Sequence, residues 1–302
     1  METVTKFELV EIPCDICGSM QSRIYKEYKT PVEYQDIYNA IGYTHQQVVQ
    51  CQKCGFIFNN PRITEEQFKI ISGTDPEVWR PKEIVISRRK DFFEAQIKLI
   101  MRYKKGGKLL DIGCSYGTLL ETAKEKGFQV YGCEIQEHSA KYADVALEGG
   151  VFCGKLESAN YPAQFFDVIT MYALLEHVWS PRTVLIEANR ILKKTGLIII
   201  NVPNVNSEIA EKNLFWWNPY HFSHFSSKTL ENLLGVCGFK VANRLFTPFV
   251  PRWVKKYQRQ IYRYLGGVVF LIQKSISKFP SCILDKGIGV GSGLTIIANK
   301  QE

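Results

Sequence analysis

Four cysteines in two spaced pairs are equipped to hold a metal: Cys14 and Cys17 in CDICG, Cys51 and Cys54 in CQKCG. Two intervening residues let both sulfurs of a pair face one ion, and the trailing Gly18 or Gly55 permits the tight turn. Two such knuckles supply the four thiolates of a tetrahedral structural zinc site, closed to catalysis. The 33 residues between them exceed the usual zinc-ribbon spacing and call for a folded insertion. The other cysteines (Cys114, Cys133, Cys153, Cys237, Cys282) are scattered. An odd total of nine, with no export signal, argues against a disulfide framework. These five read as small apolar residues near buried strands.

A second constellation starts at Leu109, in LLDIGCSYGTLL. An apolar run ends on Asp111, a glycine turn follows, and an apolar run at helical spacing begins. Dinucleotide folds need G-x-G-x-x-G and P-loops need G-x-x-x-x-G-K-[ST]. Here Gly113 and Gly117 stand too far apart for the first, and no lysine follows for the second. The turn instead suits a ligand without phosphate, whose cationic and carboxylate ends need an acid and amides. Glu134, 23 residues beyond Asp111, is placed to accept hydrogen bonds from ribose hydroxyls.

These residues need strand ends to hold them. Strand-like runs at Lys108–Ile112, Gln129–Glu134, Val151, Phe166–Met171 and Leu197–Val202 alternate with helical segments at Gly117–Lys126, His138–Leu147 and Pro181–Leu192. A helix capped by Ser226 or Ser227 stops at Gly238, and Lys240–Phe246 and Leu294–Asn299 read as the last two strands, an antiparallel pair. Repeated β-α-β units predict an α/β fold, a mainly parallel sheet covered on both faces. A helix over 81–103 leads into it.

In order, LLDIGCSYG, VYGCEI, FFDVITMYALLEHV, EANRILKKTGLIIINVPN and HFSHFSSKTLENLLGVCGF resemble a class I S-adenosylmethionine-dependent methyltransferase across residues 108–246 and again at 290–300. The resemblance implies a Rossmann-like seven-stranded sheet with a small N-terminal zinc module and a helical C-terminal insertion. It assigns the methionine part of the cofactor to Asp111, Gly113 and the turn through Cys114, Ser115, Tyr116 and Gly117. It assigns the ribose to Glu134, and the adenine to Ile135 and the loop at Leu156 and Glu157. Lys155 stands where the family often has Asp. Tyr172 is expected to pack on the cofactor.

With its cysteine module, the chain is similar to bacterial methyltransferases of sugars, polyketide-like acceptors and cell-surface glycoconjugates. In the sugar C-methyltransferases among them, a histidine before a Phe-Ser pair is the base. His221 holds that position, although Asn218-Pro219-Tyr220 departs from their pattern. His224 and His177 are the other candidate bases. Metal-dependent relatives carry an acid three residues before Glu176. Here that residue is Ala173, which argues against a catalytic metal. The implied reaction is methylation of a hydroxyl, or of carbon next to a ketone, on a saccharide or related metabolite. The competing reading is an RNA methyltransferase that grips RNA with its zinc module.

Charge weighs against RNA. The net charge is +8, but residues 1–105 carry only +2 and 106–240 carry −2; residues 241–302 hold the +8 excess. Much of it lies in 252–279, where Trp253, Tyr257, Ile261 and Leu265 recur at helical intervals among basic residues. That segment reads as a lid over the pocket or as an amphipathic contact with an anionic membrane. The domain expectation is a zinc module over 1–60, a linker and lead-in helix over 61–105, and a methyltransferase domain over 106–302 with an insertion at 247–289. No apolar run reaches the roughly 20 residues of a membrane span. The expected location is cytoplasmic, extending to the inner membrane face, with a small or lipid-linked saccharide as partner and no nucleic acid.

Overall fold

A computed structural model describes residues 8–29, 45–72, 82–207, 221–248 and 291–301. The proposed lid or membrane segment, 252–279, and Asn218-Pro219-Tyr220 lie outside the described residues.

The larger sheet has seven strands: β6 (Gly107–Ile112), β7 (Phe128–Glu134), β8 (Val151–Cys153), β9 (Phe166–Tyr172), β10 (Leu192–Pro203), β12 (Phe239–Pro248) and β13 (Gly291–Lys300). Their order is β12-β13-β10-β9-β6-β7-β8. Strands β6 to β10 run parallel, while β13 is antiparallel to both β10 and β12, as expected for the last two strands. Alternate strand residues face opposite layers. Leu110, Ile169, Ile198 and Ile200 point into one core with Leu185 and Ala188 of α5 (Pro181–Ile191) and Leu230 and Leu233 of α6 (Ser227–Val236). Leu109, Val168, Leu197 and Ile199 point into the other, with Phe93, Ile97 and Ile100 of α2 (Lys82–Ile100) and Leu119 and Ala123 of α3 (Thr118–Glu125). Burial on both faces explains the continuous apolar runs; each such Leu or Ile contributes about 1.5–3 kcal/mol. Ser226 caps α6 in a reciprocal box with Thr229. Helix α4 (Glu137–Leu147) follows β7.

The N-terminal part makes its own sheet. Strands β2 (Ser22–Lys29), β3 (His45–Cys51) and β4 (Ile57–Asn59) are antiparallel neighbours, so β2 and β3 supply the fold between the knuckles. Pairing continues past residue 60: β5 (Arg62–Ile63) joins β1 (Leu9–Val10), and α1 (Glu65–Ser72) follows. The fourth strand comes from far along the chain: β11 (Ser223–His224) adds to β4, with Ser223 opposite Phe58 and His224 opposite Ile57. Cys114, Cys133 and Cys237 are buried as expected, but Cys153 is exposed at the end of the edge strand β8. No described helix is long and apolar enough to cross a membrane.

Candidate active site at the carboxyl end of the sheet

The candidate residues fall on consecutive carboxyl ends of parallel strands, where ligands of such sheets bind. Asp111 is buried in β6 and accepts the Thr170 hydroxyl at 2.7 Å. The chain then turns through Gly113, Ser115 and Gly117, all at positive φ. A side chain at Gly113 would meet Leu174 Cδ1 at 3.0 Å, and one at Gly117 would meet Ala143 Cβ of α4 at 3.1 Å. The glycines thus bring the turn close to the loop after β9 and to α4.

Glu134 closes the turn from the next strand. Its Oε2 accepts the Ser115 amide at 2.9 Å and its Oε1 the Gln136 amide at 2.8 Å. Burial raises its carboxyl above the ordinary range while these amides pull it down. Each oxygen has a second acceptor site. Beside it Ile135 is 46% exposed, an apolar side chain left open. Tyr116 Oη lies 3.2 Å from His138 Nε2. Leu156 is buried and Glu157 exposed in a short 3-10 turn after β8, and neighbouring Lys155 is paired with Glu65 of α1. Cys114 is buried beneath the turn. Tyr172 faces α2: its hydroxyl donates to Gln96 at 3.2 Å and its ring lies edge-on to Phe92 and Phe93.

The three candidate histidines converge. His177 and His221 have ring centroids 4.6 Å apart, and His224 lies 6.5 Å from His221. Glu176, fully buried, places Oε1 4.0 Å from His177 Nε2, while Oε2 has no hydrogen-bond partner among the described residues. Burial pushes its carboxyl up to about 8. The ligating atoms of Glu176, His177 and His221 lie within 4.8 Å of one another. His224 Nε2 is 3.1 Å from Asn59 Oδ1, and burial pushes its imidazole down to about 3.

The four knuckle cysteines also converge, with all sulfurs within 4.8 Å and the pairs Cys14–Cys54 and Cys17–Cys51 at 3.5 Å. None is in a disulfide. Sulfurs at about 2.3 Å from one tetrahedral ion lie about 3.8 Å apart, so the set fits such an ion. The module docks beside the histidines. Arg62, 1% exposed, sits over the Trp179 ring at 4.5 Å and the Phe222 ring at 5.4 Å. Trp179 Nε1 donates to the Ile63 carbonyl at 3.1 Å, and Ser180 Oγ donates to Asp15 at 2.9 Å. Asn59, Arg62 and Trp179 escape a reading of the sequence; FNNPR registers there only as a turn.

A seven-stranded sheet of this order, with an acid-ended first strand, a glycine turn and a second acid, is the class I methyltransferase fold. A family model described as "Methyltransferase domain" matches residues 65–243, and the chain belongs to that family. It is 34% identical over 126 residues to the ubiquinone biosynthesis O-methyltransferase of Idiomarina loihiensis, covering 38% of this chain and 52% of the relative. The enzyme of the same name from Leptothrix cholodnii is 30% identical over 141 residues, 44% and 58% of the two chains. The chain thus spans about half the length of these curated relatives. A solved SAM-dependent methyltransferase from Archaeoglobus fulgidus shares the fold at a TM-score of 0.51 and 22% identity, covering 70% of this chain and 94% of that one.

Proposed function

We propose that this chain transfers a methyl group from S-adenosylmethionine to a hydroxyl oxygen of a small hydroxylated metabolite, saccharides included. The observation that carries the reading is one end of one sheet bearing both an amide-bound Glu134 beside the glycine turn and the His177–His221 pair. The O-methyltransferase names of the curated relatives support oxygen over carbon as the acceptor atom. Bound at the turn, the cofactor supplies a methyl group made electrophilic by its sulfonium.

The residues of the chain do the rest. Asp111 and the turn from Gly113 to Gly117 hold the methionine end. Glu134 uses its remaining acceptor sites for ribose hydroxyls, and Ile135, Leu156 and Glu157 border the adenine. Tyr172 backs Asp111 from the side of α2. A hydroxyl is a poor nucleophile while protonated, so a base taking its proton during attack is worth roughly 10²–10⁴-fold. His221 serves as that base with His177 beside it, while His224 is engaged with Asn59. The four cysteines hold a structural Zn²⁺. Titration calorimetry with S-adenosylmethionine, followed by S-adenosylhomocysteine release over a panel of saccharides and phenols, tests the proposal. No heat with the cofactor would refute it.

A further inference from the structure

The histidine segment joins the four-stranded sheet, to which β11 belongs, to the loops at the carboxyl end of the seven-stranded one. On the methyltransferase side, the Glu176 carbonyl accepts the Phe222 and Ser223 amides at 2.8 and 3.3 Å, and the Phe225 carbonyl accepts the Val205 amide at 2.9 Å. On the cysteine-module side, β4 pairs with β11, and the Asn59 amide donates to the Phe222 carbonyl at 2.9 Å. Asn59, 1% exposed, also meets the His224 ring at 3.1 Å. Phe56, two residues after Cys54, places its ring 5.5 Å from that of Phe225. Ile57, three residues after Cys54, stands directly opposite His224 in the β4–β11 ladder.

We infer that β4 and Asn59 position the acceptor-side histidines, so that metal loading of the four-cysteine centre governs the order of 221–225 without touching the cofactor turn. The knuckle folds back on itself, the Cys51 amide bonding the Phe56 carbonyl and the Gly55 amide the Cys51 carbonyl. Four sulfurs fixed on one ion hold that turn, and the turn sets where β4 begins. Asp111 and Glu134 sit instead on β6 and β7, whose ladder partners belong to the larger sheet. Asn59 is a positioning residue, acting through His224 and the Phe222 carbonyl. This inference deepens the assignment of His221 to the acceptor side and rests on it.

Hydrogen exchange on the full chain tests it. Zinc-loaded protein is compared with protein stripped by a high-affinity chelator, following peptides over 221–226 and 109–120. Stripping is expected to speed exchange at least tenfold in the first and less than twofold in the second, with S-adenosylmethionine affinity kept within twofold. Asn59→Ala, still zinc-loaded, is expected to raise exchange over 221–226 several-fold and to move the imidazole nitrogen resonances of His224. Asn59→Asp, which keeps an oxygen in place, restores protection. Unchanged exchange over 221–226 after stripping would overturn the inference. So would an equal rise over 109–120 with loss of cofactor binding, since the metal would then hold up the whole fold. Zinc-loaded protein that takes up no cofactor counts against methyl transfer alone, because protection is read without it.

Discussion

Glu134 accepts the Ser115 amide at 2.9 Å, so the carboxyl end of β7 holds the turn that follows β6. The second oxygen holds the Gln136 amide, which fixes the carboxylate from both sides. In Glu134→Gln one of these amides faces an NH₂ group instead of an acceptor. Losing a hydrogen bond to a charged group costs about 1.5–3 kcal/mol. The expected result is S-adenosylmethionine binding weakened roughly 10- to 100-fold, measured by titration calorimetry. An affinity within threefold of wild type would remove Glu134 from the cofactor site.

Gly113 has φ of 76°, and a Cβ there would stand 3.0 Å from Leu174 Cδ1. Gly113→Ala therefore carries two penalties. The left-handed backbone costs about 1–2 kcal/mol for a residue with a side chain, and the contact displaces Leu174. Adding Leu174→Ala relieves only the second. The single variant is expected to melt several degrees lower and the double mutant cycle to show favourable coupling, read by thermal unfolding.

The four-cysteine cluster predicts about one equivalent of zinc per chain by elemental analysis. Cys14→Ser and Cys54→Ser each replace one member of the 3.5 Å Cys14–Cys54 pair with a poorer ligand and are expected to lose most of it. Cys153→Ser, exposed on β8, is expected to leave the zinc unchanged. Equal zinc in all variants would show that the cluster holds no metal.

The larger sheet was legible because parallel strands buried on both faces become short apolar runs, and Ile198–Ile200 with its 0% exposure is the plainest case. The turn was legible because Asp111, Gly113 and Gly117 constrain backbone and ligand together. The junction was not. A two-residue strand such as β11 has no period to detect, and its partner β4 lies about 165 residues away. Arg62, in a stretch that reads only as a turn, is covered by two aromatic rings. The hydroxyl of Tyr172 goes to Gln96 on α2, a partner that FFDVITMY does not reveal.

Glu176 and His224 should tilt stability in opposite directions with pH. Burial lowers His224 from 6.5 to about 3, so below pH 6.5 only the unfolded chain takes up its proton, and stability falls as pH drops. Burial raises Glu176 from 4.5 to about 8, so above pH 4.5 only the folded chain keeps its proton, and stability falls as pH rises until about 8. Each contributes a slope of about 1.4 kcal/mol per pH unit at most. Between pH 4.5 and 6.5 the two slopes cancel; from 6.5 to 8 the Glu176 slope stands alone. Urea unfolding across this range separates them. Relative to wild type, Glu176→Gln is expected to gain stability steadily from pH 5 to 8. His224→Gln is expected to gain as pH falls below 6.5 and to show a constant difference above it. Parallel curves for all three proteins would mean that neither group is held in its neutral form by the fold.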